Sequence, residues 1–222
     1  MVSLGPANIL SLQIFCTLRP GELSMQLKNL RRMSVLFALS GCMFSHAIAQ
    51  GGDSKPISDL PRQFAATAFG QAGTMAGKSF GVTVYITGWT TDQQVQDYVS
   101  VLKEKGPDGL VSAMEKAQDV GRLSPTGFVG SGFRFARYKA TANGGAHIVM
   151  VTNRPMSFGE LYNAGRSTDY QFGIVVLDVD KNGKGTGKLA PVCKIKFNKK
   201  NELEIENFGQ KPFRLANVYL QK

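Results

Sequence analysis

"KLAPVCKIKFNKKNELEIENF", residues 188–208, decides the fold. Side chains alternate across an extended chain, so Cys193, Ile195 and Phe197 share one face and Lys194 and Lys196 the other. Leu203 and Ile205 share a face as well, opposite Glu202, Glu204 and Glu206. Like faces meet only if Phe197 stands across from Leu203. That register sets Lys196 against Glu204 and Lys194 against Glu206, and leaves the loop Lys199-Lys200-Asn201 with Asn201 in the left-handed position. Each cross-strand charge pair adds roughly 0.2–1 kcal/mol. The C-terminal part of the chain is therefore read as antiparallel sheet.

Working outward, "FRLANVYLQ" (213–221) follows as a last strand. Upstream, "AHIVMVTN" (146–153) and "YQFGIVVLDVD" (170–180) are apolar on both faces, as strands covered on both sides are. "FRFARYKATA" (133–142) alternates, but its apolar phase slips by one, which predicts a bulge near 135–136. Asn143-Gly144-Gly145 is a turn signal, and "GRLSPTG" (121–127) reads as a connection. Two further strands, "RQFAATAFGQ" (62–71) and "SFGVTVYITGW" (79–89), make a hairpin around a Gly-rich loop.

Between the first strand pair and the rest lies a helical pattern. Val95, Tyr98, Val99 and Leu102 line one face, Thr91 and Gln94 form a capping box, and Gly106 ends the helix before Pro107 opens a second one carrying Leu110, Ala113, Met114 and Ala117. The expectation is an α+β domain, mainly antiparallel β. About eight strands form a curved sheet or small barrel, with a helical hairpin inserted after the second strand.

The N-terminal region reads differently. "MQLKNLRRMSVLFALSGCMFSHAIAQ" (25–50) has a basic start (Lys28, Arg31, Arg32), an uncharged apolar run from Met33 to Phe44, and small residues at Ala47 and Ala49. That is the form of a secretory signal cut after Ala49, and it falls short of the ~20 apolar residues that span a bilayer. The rival is Leu39-Ser40-Gly41-Cys42, the form of a lipoprotein signal, which would anchor the protein to a membrane through Cys42. The expected organisation is a dispensable extension plus signal (1–49), a flexible lead-in (50–61) and one β-rich domain (62–222). The expected location is periplasmic or secreted.

The chain is basic, with 26 Lys and Arg against 16 Asp and Glu. Only Arg19, Lys28, Arg31, Arg32 and Glu22 precede residue 50, so the domain stays basic. Export argues against nucleic acid as the expected partner; simple solubility is the plain reading of the basic charge, and anionic envelope components or anionic ligands are the alternative. Cys193 is the one cysteine beyond residue 49, so no intrachain disulfide is expected there.

Chemical motifs are sparse. "DVDKNGKGTG" (178–187) opens like a calcium loop, but Leu189 occupies the twelfth position and the flanks are strands, so a hairpin turn is expected. His147 is the one histidine beyond residue 49 and lies in an apolar strand, where a hydrogen-bonded core residue is expected and no metal site. No catalytic constellation and no cofactor are expected.

The polar connection "NRPMSFGELYNAGRSTDYQF" (153–172) is the candidate site. Its ends must lie at the rim of the sheet, and Phe158, Leu161 and Tyr162 have the spacing of a short helix. Arg154, Tyr162, Arg166, Asp169 and Tyr170 are the candidate ligand-binding residues, because a guanidinium offers a planar fork to an anionic head group. The alternative is that Arg166 pairs with Asp169 or Glu160 and pins the loop.

From Thr90 onward, "GWTTDQQ…LKEKGPDGL", "HIVMVTNRPMSF", "RSTDYQFGIVVLDVDKNGKGTGKL" and "IENFGQKPFRL" resemble a family of uncharacterised exported bacterial proteins. The resemblance implies export and a single domain type, and assigns no site residue. The functional expectation is a non-enzymatic exported protein holding an amphipathic or hydrophobic small molecule between sheet and helices. The second expectation is an envelope-associated structural or interaction protein without a small ligand. An enzyme using Glu160 and Asp169 as acid and base is the third.

Overall fold

The computed structural model describes residues 57–157, 169–208 and 211–221. The segment expected to be a signal, with Ala49 and Cys42, lies outside the described residues. So do Tyr162, Arg166, Glu160 and the short helix expected at 158–162. Ten strands and one long helix form in the order β1 (Arg62–Phe69), β2 (Ser79–Ile86), α1 (Asp92–Glu115), β3 (Gly121–Pro125), β4 (Ser131–Phe133), β5 (Phe135–Ala140), β6 (Ala146–Thr152), β7 (Phe172–Val179), β8 (Lys184–Phe197), β9 (Leu203–Asn207) and β10 (Phe213–Gln221). Every pairing is antiparallel.

The sheet runs β4-β3-β2-β1-β10-β8-β7-β6-β5, and β9 adds to the distal half of β8. β4 and β5 sit at opposite ends of that path yet are joined through Arg134 alone. The sheet therefore curls into a nearly closed barrel. Phe133 pairs with Gly121 at one end of the path, while Arg134 N–H donates to Val151 O at 3.0 Å at the other. The phase slip read near 135–136 is this crossing: the break falls at Arg134, where the strand changes partners.

Residues 87–90 bridge the same seam. Thr87 and Gly88 N–H donate to Val120 O, and Thr90 N–H donates to Ala136 O at 2.8 Å. The last residues of the lead-in also pack on the barrel. Ile57 and Leu60 lie against its core, and Ser58 O accepts from Trp89 Nε1 at 2.8 Å.

Two expectations change. There are ten strands, not eight: "GRLSPTG" holds β3, whose Leu123 stands opposite Val84, and β4 follows it. The helical hairpin is not shown, although the expected break at Gly106 is. Gly106 adopts φ 67 as expected of a terminator, but the chain resumes helix at Pro107 along the same sheet face, giving one kinked helix. The Thr91 capping box forms, with Gln94 N–H donating to Thr91 Oγ1 and Thr91 N–H to Gln94 Oε1.

Alternation then yields two apolar layers. Inward residues of every barrel strand, among them Phe64, Leu123, Phe133, Met150, Leu177 and Leu189, fill the barrel with fully buried side chains. Outward residues of β5 to β8, including Phe135, Val149, Phe172, Ile174 and Cys193, meet Val95, Tyr98, Leu102, Leu110 and Met114 of α1. The strands read as covered on both sides, β6 and β7, lie between these two layers. The hairpin register is as read, from Phe197 opposite Leu203 to Lys194 opposite Glu206, with Asn201 at φ 58.

Candidate functional site

Of the expected set, Arg154, Asp169 and Tyr170 are described, while Tyr162 and Arg166 lie outside the described residues. Arg154 is exposed just beyond β6, and Asp169 is exposed just before β7. β6 and β7 are neighbours, Thr152 standing opposite Gly173, so the two loop ends do lie on one rim. Tyr170 reaches toward β9. Its hydroxyl donates to Glu206 Oε1, and its ring lies 4.9 Å from that of Phe208. Gln171 Nε2 donates to Asp108 Oδ1 at 2.6 Å, tying the rim to α1.

Glu206 is the centre of a small polar chain. Lys196 Nζ donates to it at 2.8 Å, closer than to Glu204, directly opposite, at 3.8 Å. The hydrogen bond from Lys196, then that from Tyr170, holds the Glu206 carboxyl below the usual range. The same contact raises Tyr170 and Lys196. The three groups satisfy one another, as pinned loop wiring does.

The other sequence candidates resolve structurally. His147 is half-buried, not the core residue expected, and its Nδ1 lies 2.5 Å from Oδ1 of the exposed Asp178. Asp180 Oδ1 accepts the N–H groups of Asn182 and Lys184, closing the β7–β8 turn with its carboxylate held below the ordinary range, chiefly by the Lys184 N–H. Asp178 and Asp180 thus face different partners and do not converge on a cation. Among the described residues no cluster of three or more metal-ligating side chains occurs. Cys193 is buried, which pushes its thiol far above the ordinary range, and its Sγ–H donates to Phe172 O. Such a thiol does not form a thiolate.

Two surface features escaped the sequence reading. One is a cleft of about 340 Å³ on the barrel seam, lined by Trp89, Arg137, Tyr138 and Ala140. The Trp89 and Tyr138 rings lie 5.1 Å apart at 46°. Arg137 donates to Thr90 O at 2.7 Å and to Asp92 Oδ1 at 2.5 Å.

The second feature is the outer face of β3-β2-β1-β10 with the first half of β8. None of β1, β2, β3, β4 and β10 contains Asp or Glu. The outward side chains include exposed Arg122, Arg214, Lys184 and Lys188, with Tyr85 and Tyr219 at 38% and 46% exposure. Between them stand small residues, Ala65, Thr67, Thr83, Ser124 and Ala216, in register across the strands. Arg214 lies over the Phe69 ring, 5.6 Å from its centroid.

No protein-family model, curated protein or solved structure matches the chain. Among the described residues no helix is long and apolar enough to cross a membrane.

Proposed function

We propose that this is a non-catalytic, exported interaction protein that docks on an anionic lipid surface through the outer face of β3-β2-β1-β10. The observation that carries the reading is the acid-free composition of that face. Arg122 and Arg214 project from it and Lys184 and Lys188 from the adjoining first half of β8, where Asp178, opposite Thr186, is engaged by His147 and Asp180 lies near Lys184. Small side chains keep the face flat. Tyr85 and Tyr219, apolar in body and polar at the tip, suit the headgroup level of a bilayer. At ~1 kcal/mol per basic residue near an anionic surface, four cations give about 4 kcal/mol, enough for weak, reversible and salt-sensitive attachment.

The rival expectation of a ligand between sheet and helix has less support, because buried side chains of α1 and β5 to β8 occupy that layer. Lipidation at Cys42 would add a second anchor to the same surface.

Co-sedimentation with vesicles tests this. The protein is expected to pellet with phosphatidylglycerol-containing vesicles and not with pure phosphatidylcholine. Raising salt from about 0.1 to 1 M shortens the Debye length from about 10 to 3 Å and should release it. The double charge reversal Arg122→Glu with Arg214→Glu should abolish pelleting while leaving the melting temperature near that of the parent. Undiminished pelleting of that variant would overturn the proposal, as would equal binding to both vesicle types.

A further inference from the structure

The seam cleft uses none of the cations of the bare sheet face. Its walls are fixed before anything enters. The Trp89 ring is held by its own N–H bond to Ser58 O at 2.8 Å. The backbone on either side of it is bonded to Val120 and Ala136. The Tyr138 ring leans on Trp89, and 38% of the tyrosine remains exposed. Arg137 is clamped between Thr90 O and Asp92. A site pre-organised in this way spends little entropy on binding.

We infer that the cleft formed by Trp89, Tyr138, Arg137 and Ala140 seats one ring of a neutral saccharide. Three properties select that chemistry. An aromatic face is electron-rich, so it attracts the polarised C–H face of a sugar ring. The Arg137 guanidinium has five N–H donors, of which two are engaged, and Asp92 beside it has acceptor oxygens. Arg137 thus brings free N–H donors to the cleft, with Asp92 as the carboxylate bonded to it. The paired charges also reject the alternatives. A cation seated on the rings would meet Arg137, and a phosphate or carboxylate would have to compete with Asp92 for the guanidinium it is bonded to. At about 340 Å³ the cleft suits one ring or two and no larger body.

Trp89 is the single tryptophan of the chain, so its fluorescence reports this site alone. The probes are cellotriose, maltotriose and chitotriose, with tetramethylammonium and phenyl phosphate as charged comparators. At least one neutral trisaccharide is expected to shift Trp89 emission saturably, with a dissociation constant around ~1 mM. The charged probes should not. Tyr138→Ala should weaken the trisaccharide by about tenfold, the loss of one aromatic contact. Asp92→Asn keeps the side-chain shape and removes the charge, and it should let phenyl phosphate bind. Both positions are exposed enough for the variants to fold, which circular dichroism checks. The inference is overturned if no trisaccharide gives a saturable shift, if a charged probe binds the parent as well as the sugar does, or if Tyr138→Ala binds unchanged. Vesicle binding by the parent and by Tyr138→Ala should be equal, so failure here leaves the docking face standing.

Discussion

On β5, β6 and β7 the outward positions are filled by Phe135, Val149, Val151, Ile174 and Val176, and α1 lies on them. On β1, β2, β3 and β10 the outward positions hold Ala65, Thr67, Thr83, Tyr85, Arg122, Arg214 and Tyr219, all at least partly exposed. The inward faces of the two halves do not differ in kind: Val82, Val84 and Leu123 on one side match Ile148, Met150 and Leu177 on the other. The inner alternation builds the barrel, and the outer composition chooses which half the helix can cover. A helix with one apolar stripe gains only from a sheet face that is itself apolar. The bare half is left polar, basic and accessible, and those are the properties a docking face needs.

The largest test of that contrast removes one ring from each half. Phe172 is fully buried beneath α1, so Phe172→Ala should cost ~3–5 kcal/mol through lost transfer energy and an unfilled cavity. Tyr219 is 46% exposed on the bare half, and Tyr219→Ala should cost less than about 1 kcal/mol. Urea unfolding midpoints at unchanged slope measure both. Equal losses would mean that the bare half is as tightly packed as the covered one.

How far the sequence revealed this contrast depended on how local each signal was. The β8–β9 register, the Thr91 capping box and the Gly106 break are all written within a few residues, and each forms in the structure. β3 and β4 were illegible for the opposite reason. "GRLSP" and "SGF" offer too few alternating residues, and pairing with β2 is what makes Gly121–Pro125 a strand. The barrel seam showed only as a phase slip, because its cause is a change of partner between strands distant in sequence. The candidate loop is marked by its density of polar residues, and of its described members Tyr170 belongs to the Glu206 chain. Trp89, Arg137 and Tyr138 were missed as a site because the seam alone brings them together. The bare face had a readable signal: four strand segments in which no acid occurs.

A smaller effect is expected at the kink of α1. Gly106 sits at φ 67 and ψ −166, a region open essentially to glycine alone. Gly106→Ala should therefore cost about 1–3 kcal/mol. The loss should appear on the covered half, where both arms of α1 contribute Leu102 and Leu110 to one layer, and hydrogen exchange of β6 and β7 amides should report it before that of β1 and β2. A stability equal to the parent's would show that the two arms dock independently and that the kink does not constrain them.

The smallest effect concerns where the acids went. They are absent from the bare strands and concentrated on α1 and β9, where Glu206 is bonded by Lys196 and Tyr170. Those bonds depress the Glu206 carboxyl, so its contribution is present above the unfolded range near ~4.3 and is lost as pH falls through the lower folded value. Tyr170 and Lys196 are raised instead, so theirs is present below about 10 and is lost as pH climbs through the folded values. The cluster thus stabilises the β8–β9 hairpin across the neutral range and weakens it at both ends. The groups are exposed, so the effect is small and screened by salt. Glu206→Gln should flatten both the acid and the alkaline arm of the stability–pH curve. It should leave vesicle binding unchanged, because the bare face contains none of these groups. If the variant keeps the parent's pH profile, the acids of β9 do not hold the hairpin. If it alters vesicle binding, the two regions are not electrostatically separate, and the contrast between them fails.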